Sequence, residues 1–207
     1  PKAILTRITR SIEKMVGDEE KMASILGVGI ALPGLIDYEA GSILSTHSLK
    51  EWEGFPIKTF LEDSLDTKVY MENDVKTITL GEYHWGAGQQ AKNVVYIWLG
   101  EGIGAGIIIN GDIYRGITAS AGEVGYTEIS ARGINRGKYP ILYQDQRRFG
   151  EILTTQHLEF SMQQAVNANG STSVLKDSEI NLQSIAAAAK NNDALSLDAL
   201  KEFGEIL

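Results

Sequence analysis

The chain has 207 residues, of which 43% are hydrophobic and 22% are charged, so it is long enough for one large domain or two small lobes around a buried core. Its net charge of −8 and the lack of a lysine and arginine cluster argue against a nucleic-acid-binding surface in these residues. The absence of cysteine excludes disulfides, zinc–thiolate sites and cysteine nucleophiles, and it fits a reducing compartment.

Hydrophobic patterns in the first half of the chain predict alternating helices and strands. Apolar residues at helical spacing predict a helix over 1–16, and a short apolar run stopped by proline and glycine predicts a strand over 25–34. A helix is predicted over 55–65, a second strand over 68–74, and a helix over 75–84 that follows this strand directly.

The second half begins with strands and becomes helical. Strands are predicted over 93–100 and 105–110, and Asn110-Gly111 predicts a tight hairpin turn after them. The character of the sequence changes after residue 115, and the stretch between "SAGEVGYTEIS" and about residue 155 is polar, arginine-rich and without a clear pattern. Helices are predicted over 158–168, 181–191 and 194–207. Strands that lead into helices, followed by a hairpin, indicate an α/β fold with a mixed sheet.

The two ends of the chain indicate a piece of a longer polypeptide. The start, "PKAILTRITR", has neither an initiator methionine nor the apolar core of a signal peptide, and "KEFGEIL" ends the chain within a helical pattern. No apolar run approaches the roughly 18 residues of a membrane span. We therefore expect no membrane partner and a cytoplasmic location.

Asn73 and Asp74 lie where a predicted strand ends and a helix begins, which is where functional residues gather in such sheets. One interpretation is a helix N-cap, because asparagine and aspartate oxygens accept backbone N–H groups there. The other is an amide and a carboxylate that bind a polyol or deprotonate a hydroxyl. Both uses can coexist, since two residues are available.

A glycine-rich loop follows the strand that ends at Leu99, with glycines at alternate positions: Gly100, Gly102, Gly104 and Gly106. Such loops bring backbone N–H groups against phosphate. Glu101, however, places a carboxylate in this loop, and a carboxylate ~4–6 Å from a phosphate costs ~1–4 kcal/mol. We interpret the loop as a degenerate phosphate loop whose glycines are retained because the tight chain path needs them.

Glu123 lies between two glycines in "AGEVGY" and is either a turn residue or a second carboxylate that grips vicinal hydroxyls. The three histidines, His47, His84 and His157, show no metal-ligand spacing. Because cysteine is also absent, no metal site is expected.

Five motifs, taken together, resemble the ROK family of bacterial repressors, open reading frames and sugar kinases. They are "GIALPGLID" (29–37), "LKEWEGFPI" (49–57), "ENDVKTITLGE" (72–82), "GEGIGAGIIINGDIYRG" (100–116) and "AGEVGYTEI" (121–129). The resemblance covers about residues 25–130, and five motifs in the same order are far more specific than a lone glycine pattern.

The resemblance implies an actin-like, ribonuclease-H-like fold with two lobes around a sugar cleft. Residues 1–73 would be the remainder of the smaller N-terminal lobe, and 74–207 the larger C-terminal lobe, truncated at its end. In the family, the Asn-Asp pair binds sugar hydroxyls and the aspartate is the catalytic base of the kinases, which implies these roles for Asn73 and Asp74. The family's glutamate after the glycine loop also holds the sugar, and it corresponds to Glu123.

This chain departs from the family pattern in four places. Tyr126 stands where the family has a histidine shared between sugar and zinc, and Tyr126 could still donate its hydroxyl to a sugar. The cysteine-rich zinc knuckle is replaced within 131–155, and Glu101 stands where the kinases carry a small hydroxyl residue. The N-terminal phosphate-binding "D-x-G-G-T" strand is also absent from these residues. The resemblance therefore implies that zinc is lost and that ATP binding is disfavoured, so no cofactor is expected.

We therefore predict the effector-binding portion of a sugar-sensing repressor of the xylose-repressor type, which binds a monosaccharide and is not an enzyme. Operator DNA would be bound by a helix-turn-helix domain upstream of this chain, and a homodimer is expected. The alternative is an ATP-dependent ROK sugar kinase, in which Asp74 deprotonates a sugar hydroxyl. Sugar specificity is expected to depend on the loop around His47–Trp52.

Overall fold

The structure is a computed structural model that describes residues 1–128, 141, 148–168 and 171–207. These residues form two compact units, Pro1–Tyr96 with Gly106–Ala121 and Ile97–Ala105 with Gly122–Leu207. The lobe boundary at residues 73 and 74 stays a prediction. Most of the segment 131–155, including the place of the family's zinc knuckle, lies outside the described residues.

Each predicted helix and strand is present, with its boundaries shifted by a few residues, and short elements over 19–23, 35–37, 42–45 and 149–152 were not predicted. The helices are α1 (Lys2–Val16), α2 (Glu19–Ala23), α3 (Ile57–Leu65), α4 (Asp74–Trp85), α5 (Phe149–Ile152), α6 (Thr155–Asn167), α7 (Leu182–Lys190) and α8 (Ala194–Ile206). The strands are β1 (Val28–Leu32), β2 (Leu35–Asp37), β3 (Ser42–Ser45), β4 (Val69–Asn73), β5 (Val94–Leu99), β6 (Ile103–Ile109) and β7 (Asp112–Ile113). Short 3₁₀ turns lie at Lys50–Trp52 and Val124–Tyr126.

Both parallel and antiparallel strand pairs occur, so the predicted mixed α/β architecture is confirmed. β1 and β4 run parallel, with Val28 opposite Val69 and Leu32 opposite Asn73. β2 and β3 form an antiparallel hairpin. The third sheet has the order β5-β6-β7, and β6 and β7 are antiparallel. Asn110 and Gly111 turn between them with φ values of 55° and 93°, as the sequence predicts for a tight hairpin.

The first unit packs α1, α3 and the 3₁₀ turn against one face of the β1–β4 sheet. In α1 the buried residues are Leu5 and Thr9, while Ile4 and Met15 of the predicted apolar stripe are 49% and 83% exposed. The buried face of α1 is thus rotated by about one residue from the predicted stripe. The core of this unit consists of Leu5, Leu32, Ile36, Ile43, Trp52, Ile57, Leu61 and Val69.

The second unit is built mainly from helices, whose starts are fixed by side-chain caps. Thr154 accepts a hydrogen bond from the His157 amide at the start of α6, and Asp193 accepts one from the Ser196 amide at the start of α8. The core contains Ile152, Leu153, Leu158, Met162, Val166, Leu175, Ile185, Ala188, Ala199 and Ile206. No described helix combines the length and the apolar composition that crossing a bilayer requires.

Candidate functional site

Asn73 joins the ends of the two parallel strands to the start of α4. Its Oδ1 accepts a hydrogen bond from the Lys76 amide at 3.0 Å, which confirms the N-cap interpretation. Its Nδ2 donates to the Gly34 carbonyl at 3.1 Å, in the turn that follows β1. The residue is 7% exposed. The Asn73 side chain therefore has a structural role, whatever else it binds.

Gly34 is required in this turn for two reasons. Its φ of +103° lies in the region that other residues rarely adopt, and a Cβ there would overlap the Ser45 carbonyl. The turn after β1 thus lies directly against the end of β3. The proline and glycine after β1 fix where the strand end lies.

Asp74 is the first residue of α4, and its side chain is half-buried. Its Oδ1 accepts a hydrogen bond from the Val75 amide at 2.8 Å. Its Oδ2 accepts no hydrogen bond from any described residue. The start of a helix carries partial positive charge, which favours an acidic residue at this position. Among the described residues, one oxygen of the Asp74 carboxylate is thus without a hydrogen-bond donor.

Glu72, which precedes this pair, is the centre of a hydrogen-bonded cluster that the sequence analysis missed. Its Oε1 accepts hydrogen bonds from the Tyr38 hydroxyl and, at 2.9 Å, from the Asn73 amide. Its Oε2 accepts from Arg115 Nε at 2.8 Å and lies 2.6 Å from Arg115 Nη2. The Arg115 guanidinium also lies over the Tyr38 ring, 5.3 Å from its centroid. Three segments of the chain are joined at this one carboxylate.

Burial and the neighbouring Glu72 carboxylate raise the pKa of Tyr38 from 10.0 to about 12, because both disfavour a second negative charge. Burial alone would lower the pKa of Arg115, but its hydrogen bonds to Glu72 raise it above its usual value. Glu72 and Arg115 therefore form a charged pair, and Tyr38 stays neutral beside it over the physiological pH range.

The alkaline stability of the protein is expected to report on this cluster. Between pH 10 and 12 the unfolded chain loses the Tyr38 proton while the folded chain keeps it, so the free energy of unfolding falls as the pH rises. In Tyr38→Phe this contribution is absent. The free energy of unfolding, measured with urea from pH 8 to 11.5, should fall less steeply with pH in Tyr38→Phe than in the wild type. An equally steep fall in both proteins would contradict the raised pKa of Tyr38.

A pocket of about 610 Å³ lies beside the cluster in the first unit. Tyr38, Glu72 and Arg115 contribute its polar wall, and Asn73 and Asp74 are not among its lining residues. The remaining lining residues are mostly apolar or small: Gly29, Ile30, Ala31, Gly41, Lys58, Val69, Tyr70, Met71, Thr77 and Leu80. Asn73 and Asp74 thus lie at the strand end that follows Glu72, outside this pocket.

The loop expected to set sugar specificity contains one residue with a clear packing role. Trp52, at the end of the 3₁₀ turn, is 6% exposed and belongs to the core of the first unit. The amide of Thr46, just before the loop, donates to Glu53 Oε1 at 2.8 Å. Trp52 therefore stabilises the loop by burial, and the role of the loop in sugar specificity stays a prediction.

In the second unit, the glycine loop is shorter than the sequence analysis predicts. Only Gly100, Glu101 and Gly102 lie between β5 and β6, whereas Gly104 and Gly106 lie within β6. The Gly100 carbonyl accepts a hydrogen bond from the Thr155 amide at 2.9 Å, which fixes the loop to the start of α6. The Glu101 side chain is exposed.

The glycines of this region are needed for different reasons. A Cβ at Gly106 would overlap the buried Thr79 hydroxyl on α4, so close packing requires glycine there. Gly102 has no positive φ, and a Cβ would meet nothing within 4 Å. The prediction that the chain path requires every glycine of the loop is therefore wrong for Gly102, whose backbone lies open.

Glu123 and Tyr126 also belong to the second unit. Gly122 before them has a φ of +91°, and a Cβ there would overlap the Ala105 carbonyl, so this segment lies directly against β6. Glu123 is half-buried and begins the 3₁₀ turn without capping it by its side chain. Tyr126, at the end of the turn, is 50% exposed, with the Arg148 guanidinium 5.9 Å from its ring centroid. Their ligand roles stay predictions.

The described residues do not fit the zinc site of the family. Across 1–128, 141, 148–168 and 171–207, no three histidine, aspartate or glutamate side chains lie close enough together to hold a metal ion. Cysteine is absent from the whole chain. The cysteine thiolates of the family's zinc knuckle thus have no counterpart in this chain, and the loss of zinc stays a prediction.

Comparisons with known proteins identify the same family as the five sequence motifs. The model of the ROK family matches residues 1–207. A glucokinase of Halalkalibacterium halodurans is 36% identical over 131 residues, which are 63% of this chain and 39% of that protein. A xylose repressor of Bacillus spizizenii is 29% identical over 185 residues, which are 87% of this chain and 42% of that protein. The chain thus spans about two fifths of the length of these curated relatives.

Similarity to solved structures confirms the fold. The structure of a ROK family transcriptional regulator, a homologue of the E. coli MLC protein, matches with a TM-score of 0.79 and 24% identity. The match covers 97% of this chain and 50% of that one. The expected actin-like, mixed α/β fold is therefore confirmed.

Proposed function

Because this chain belongs to the ROK family, we propose that it is the sugar-binding part of a bacterial transcriptional repressor, which binds a monosaccharide and does not phosphorylate it. A xylose repressor and a glucokinase are both among the relatives, and both names refer to a sugar. Membership in the family therefore supports sugar recognition under either function.

The observation that carries the sugar-binding proposal is the Asp74 carboxylate at the carboxyl end of β4. It is half-buried, it lies at the start of α4, and its Oδ2 accepts no hydrogen bond from a described residue. A carboxylate oxygen in that setting is a strong acceptor for a hydroxyl. Asp74 is thus the primary sugar ligand in this proposal.

Three other residues are proposed as sugar ligands, each on its own sequence position in the family pattern. Asn73 has capacity for a further hydrogen bond, because Oδ1 and Nδ2 of its side chain each make one bond to the residues that the structure describes. Glu123 supplies a second carboxylate, and the Tyr126 hydroxyl supplies a donor. These roles follow the family pattern and rest on sequence position rather than on a measured contact.

The proposal that ATP is not used rests on Glu101. Its exposed carboxylate occupies the loop that would have to hold the phosphates, and a like charge at ~4–6 Å opposes them by ~1–4 kcal/mol. The start of the loop is also fixed by the hydrogen bond between the Gly100 carbonyl and the Thr155 amide. Neither feature supplies a positive charge for a triphosphate.

The alternative function, a ROK sugar kinase, is favoured by one observation. The backbone at Gly102 is open, with nothing within 4 Å of the position of a Cβ, as a loop that receives phosphate requires. Asp74 would then act as the general base toward a sugar hydroxyl. The two functions share the sugar and differ in whether ATP is consumed.

Operator DNA is proposed to bind through a part of the protein outside these residues, because their net charge of −8 opposes contact with phosphate. A homodimer and a cytoplasmic location are proposed by analogy with bacterial regulators of the family. Size-exclusion chromatography with light scattering tests the dimer, which a monomeric mass would contradict.

Removal of metal is expected to have no effect on the protein. Cysteine is absent, and Tyr126 occupies the place of the family's zinc-binding histidine, so no zinc should be retained. The purified protein should contain no stoichiometric zinc by elemental analysis, and EDTA should leave its melting temperature unchanged. One zinc per chain, together with a lower melting temperature in EDTA, would contradict this.

The experiment that tests sugar binding is a thermal-shift screen against pentoses, hexoses and their N-acetyl derivatives. A ligand that binds only the folded state stabilises it by about 2.7 kcal/mol at a hundred times its Kd. At least one sugar should therefore give a saturable rise in melting temperature. If none of them does, the sugar-binding proposal is wrong.

A further inference from the structure

We propose that Glu72 and Lys76, the charged residues on either side of Asn73-Asp74, are positioning residues that pin the segment 115–121, and that tight sugar binding at Asp74 depends on this pinning. The segment 115–121 follows β7 and is called the strap below. The dependence of sugar affinity on the strap rests on the proposed function. The attachment of the strap by Glu72 and Lys76 is independent of the proposed function.

The first anchor of the strap is the pair of Glu72 and Arg115. The Glu72 side chain is 13% exposed, so its charge is largely removed from water, and it accepts two hydrogen bonds from the Arg115 guanidinium. Charge-assisted bonds of this kind are stronger than neutral ones. The same carboxylate also accepts from the Asn73 amide at 2.9 Å. Glu72 thus links the start of the strap to the end of β4.

The second anchor is Lys76 on the first turn of α4. Lysine is rarely buried unless its ammonium group is paired, and Lys76 is only 2% exposed. Its Nζ donates a hydrogen bond of 2.6 Å to the Ala119 carbonyl in the strap. Ala119 has a φ of +59°, which is uncommon for a residue with a side chain. A buried ammonium thus holds a strap residue in a backbone conformation that alanine rarely adopts.

The strap depends on these polar anchors because it is not held by apolar packing at its centre. Ile117 is fully exposed. Inside the strap, the Ala121 amide donates to the Arg115 carbonyl at 3.1 Å, and the hydroxyls of Thr118 and Ser120 lie 2.6 Å apart. The strap is therefore a closed loop whose attachment to the rest of its unit is mainly electrostatic.

Both anchors connect to the backbone that carries Asp74. Glu72 holds the Asn73 amide, and Asn73 in turn holds the Lys76 amide by its Oδ1 at 3.0 Å. Strap, strand end and helix start thus form one continuous set of hydrogen bonds. Loss of either anchor is expected to change the position of the Asp74 carboxylate, since that residue lies between the two bonded amides.

The test compares Lys76→Met and Glu72→Gln with a matched control, Glu62→Gln. Glu62 Oε1 also accepts a backbone amide of β4, that of Val69 at 3.0 Å, but at the opposite end of the strand. Two quantities are measured: hydrogen exchange of the strap amides without sugar, and the sugar dissociation constant by calorimetry. If Glu72→Gln fails to fold, Arg115→Lys is used instead to weaken the first anchor, the pair of Glu72 and Arg115.

We expect the two anchor variants to raise exchange at the Ala121 amide at least about tenfold, as local opening becomes easier, and to weaken sugar binding at least about fivefold. Glu62→Gln should leave both quantities within about twofold of the wild type. Faster strap exchange with unchanged sugar affinity would overturn the proposed dependence. Unchanged exchange in both anchor variants would overturn the pinning. Failure of the wild type to bind any sugar contradicts the proposed function, and the exchange measurement still decides on the pinning.

Discussion

Replacement of Asp74 by alanine is expected to abolish sugar-induced thermal stabilisation and to leave the fold intact. A hydrogen bond between a carboxylate and a hydroxyl contributes about 1.5–3 kcal/mol, so loss of Asp74 should weaken sugar binding more than tenfold. The fold should survive because the helix cap is supplied by Asn73, and Asp74 Oδ2 has no partner among the described residues.

The control for this variant is Asp63→Ala, which removes the same charge from an exposed position on α3. It should leave the dissociation constant for sugar unchanged. Calorimetry and the far-ultraviolet circular dichroism spectrum of each variant separate loss of binding from loss of structure. Undiminished sugar affinity in Asp74→Ala would leave Asp74 with a role in the first turn of the helix alone.

Asn73→Ala is expected to have its largest effect on stability. The variant loses the cap of α4 and leaves the buried Lys76 amide and the Gly34 carbonyl without their partner. Together these losses should lower the free energy of unfolding by about 1–3 kcal/mol. Urea unfolding measured without sugar tests this, because ligand binding would otherwise add to the difference.

Asp18→Ala is the matched cap variant in the same unit, because Asp18 caps α2 by a single bond to the Lys21 amide on an exposed surface. Asp18→Ala should lower the free energy of unfolding clearly less than Asn73→Ala does. An equal or larger loss in Asp18→Ala would contradict the structural role assigned to Asn73. The two pairs of variants thus test separately the helix-cap role of Asn73 and the proposed ligand role of Asp74.

Much of the fold could be predicted from local patterns. The junction of β4 and α4 was predicted at the right place because a stretch of residues typical of strands ends at two residues that favour helix N-caps, Asn73 and Asp74. The hairpin at Asn110-Gly111 was predicted because those residues favour positive φ. The β2–β3 hairpin was missed, since its strands have only three and four residues and show no clear alternation.

The candidate site could be predicted only in part. Asn73 and Asp74 were found from their place at a strand end, but the cluster around Glu72 was not. Tyr38 lies 34 residues before Glu72 and Arg115 lies 43 residues after it, so their contacts depend on tertiary packing that no local pattern contains. The burial of Lys76 was missed for the same reason, because its partner is the Ala119 carbonyl in a distant loop.

The central claim is that this chain binds a monosaccharide and does not phosphorylate it. The most direct test incubates the protein that carries these residues with Mg-ATP and the sugar that stabilises it most, and measures sugar binding by calorimetry and ADP release by a coupled assay. The proposed function predicts saturable sugar binding and no ADP release above the background without sugar. Sugar-dependent ADP release, matched by an equal amount of sugar phosphate, would contradict the repressor assignment and establish the kinase.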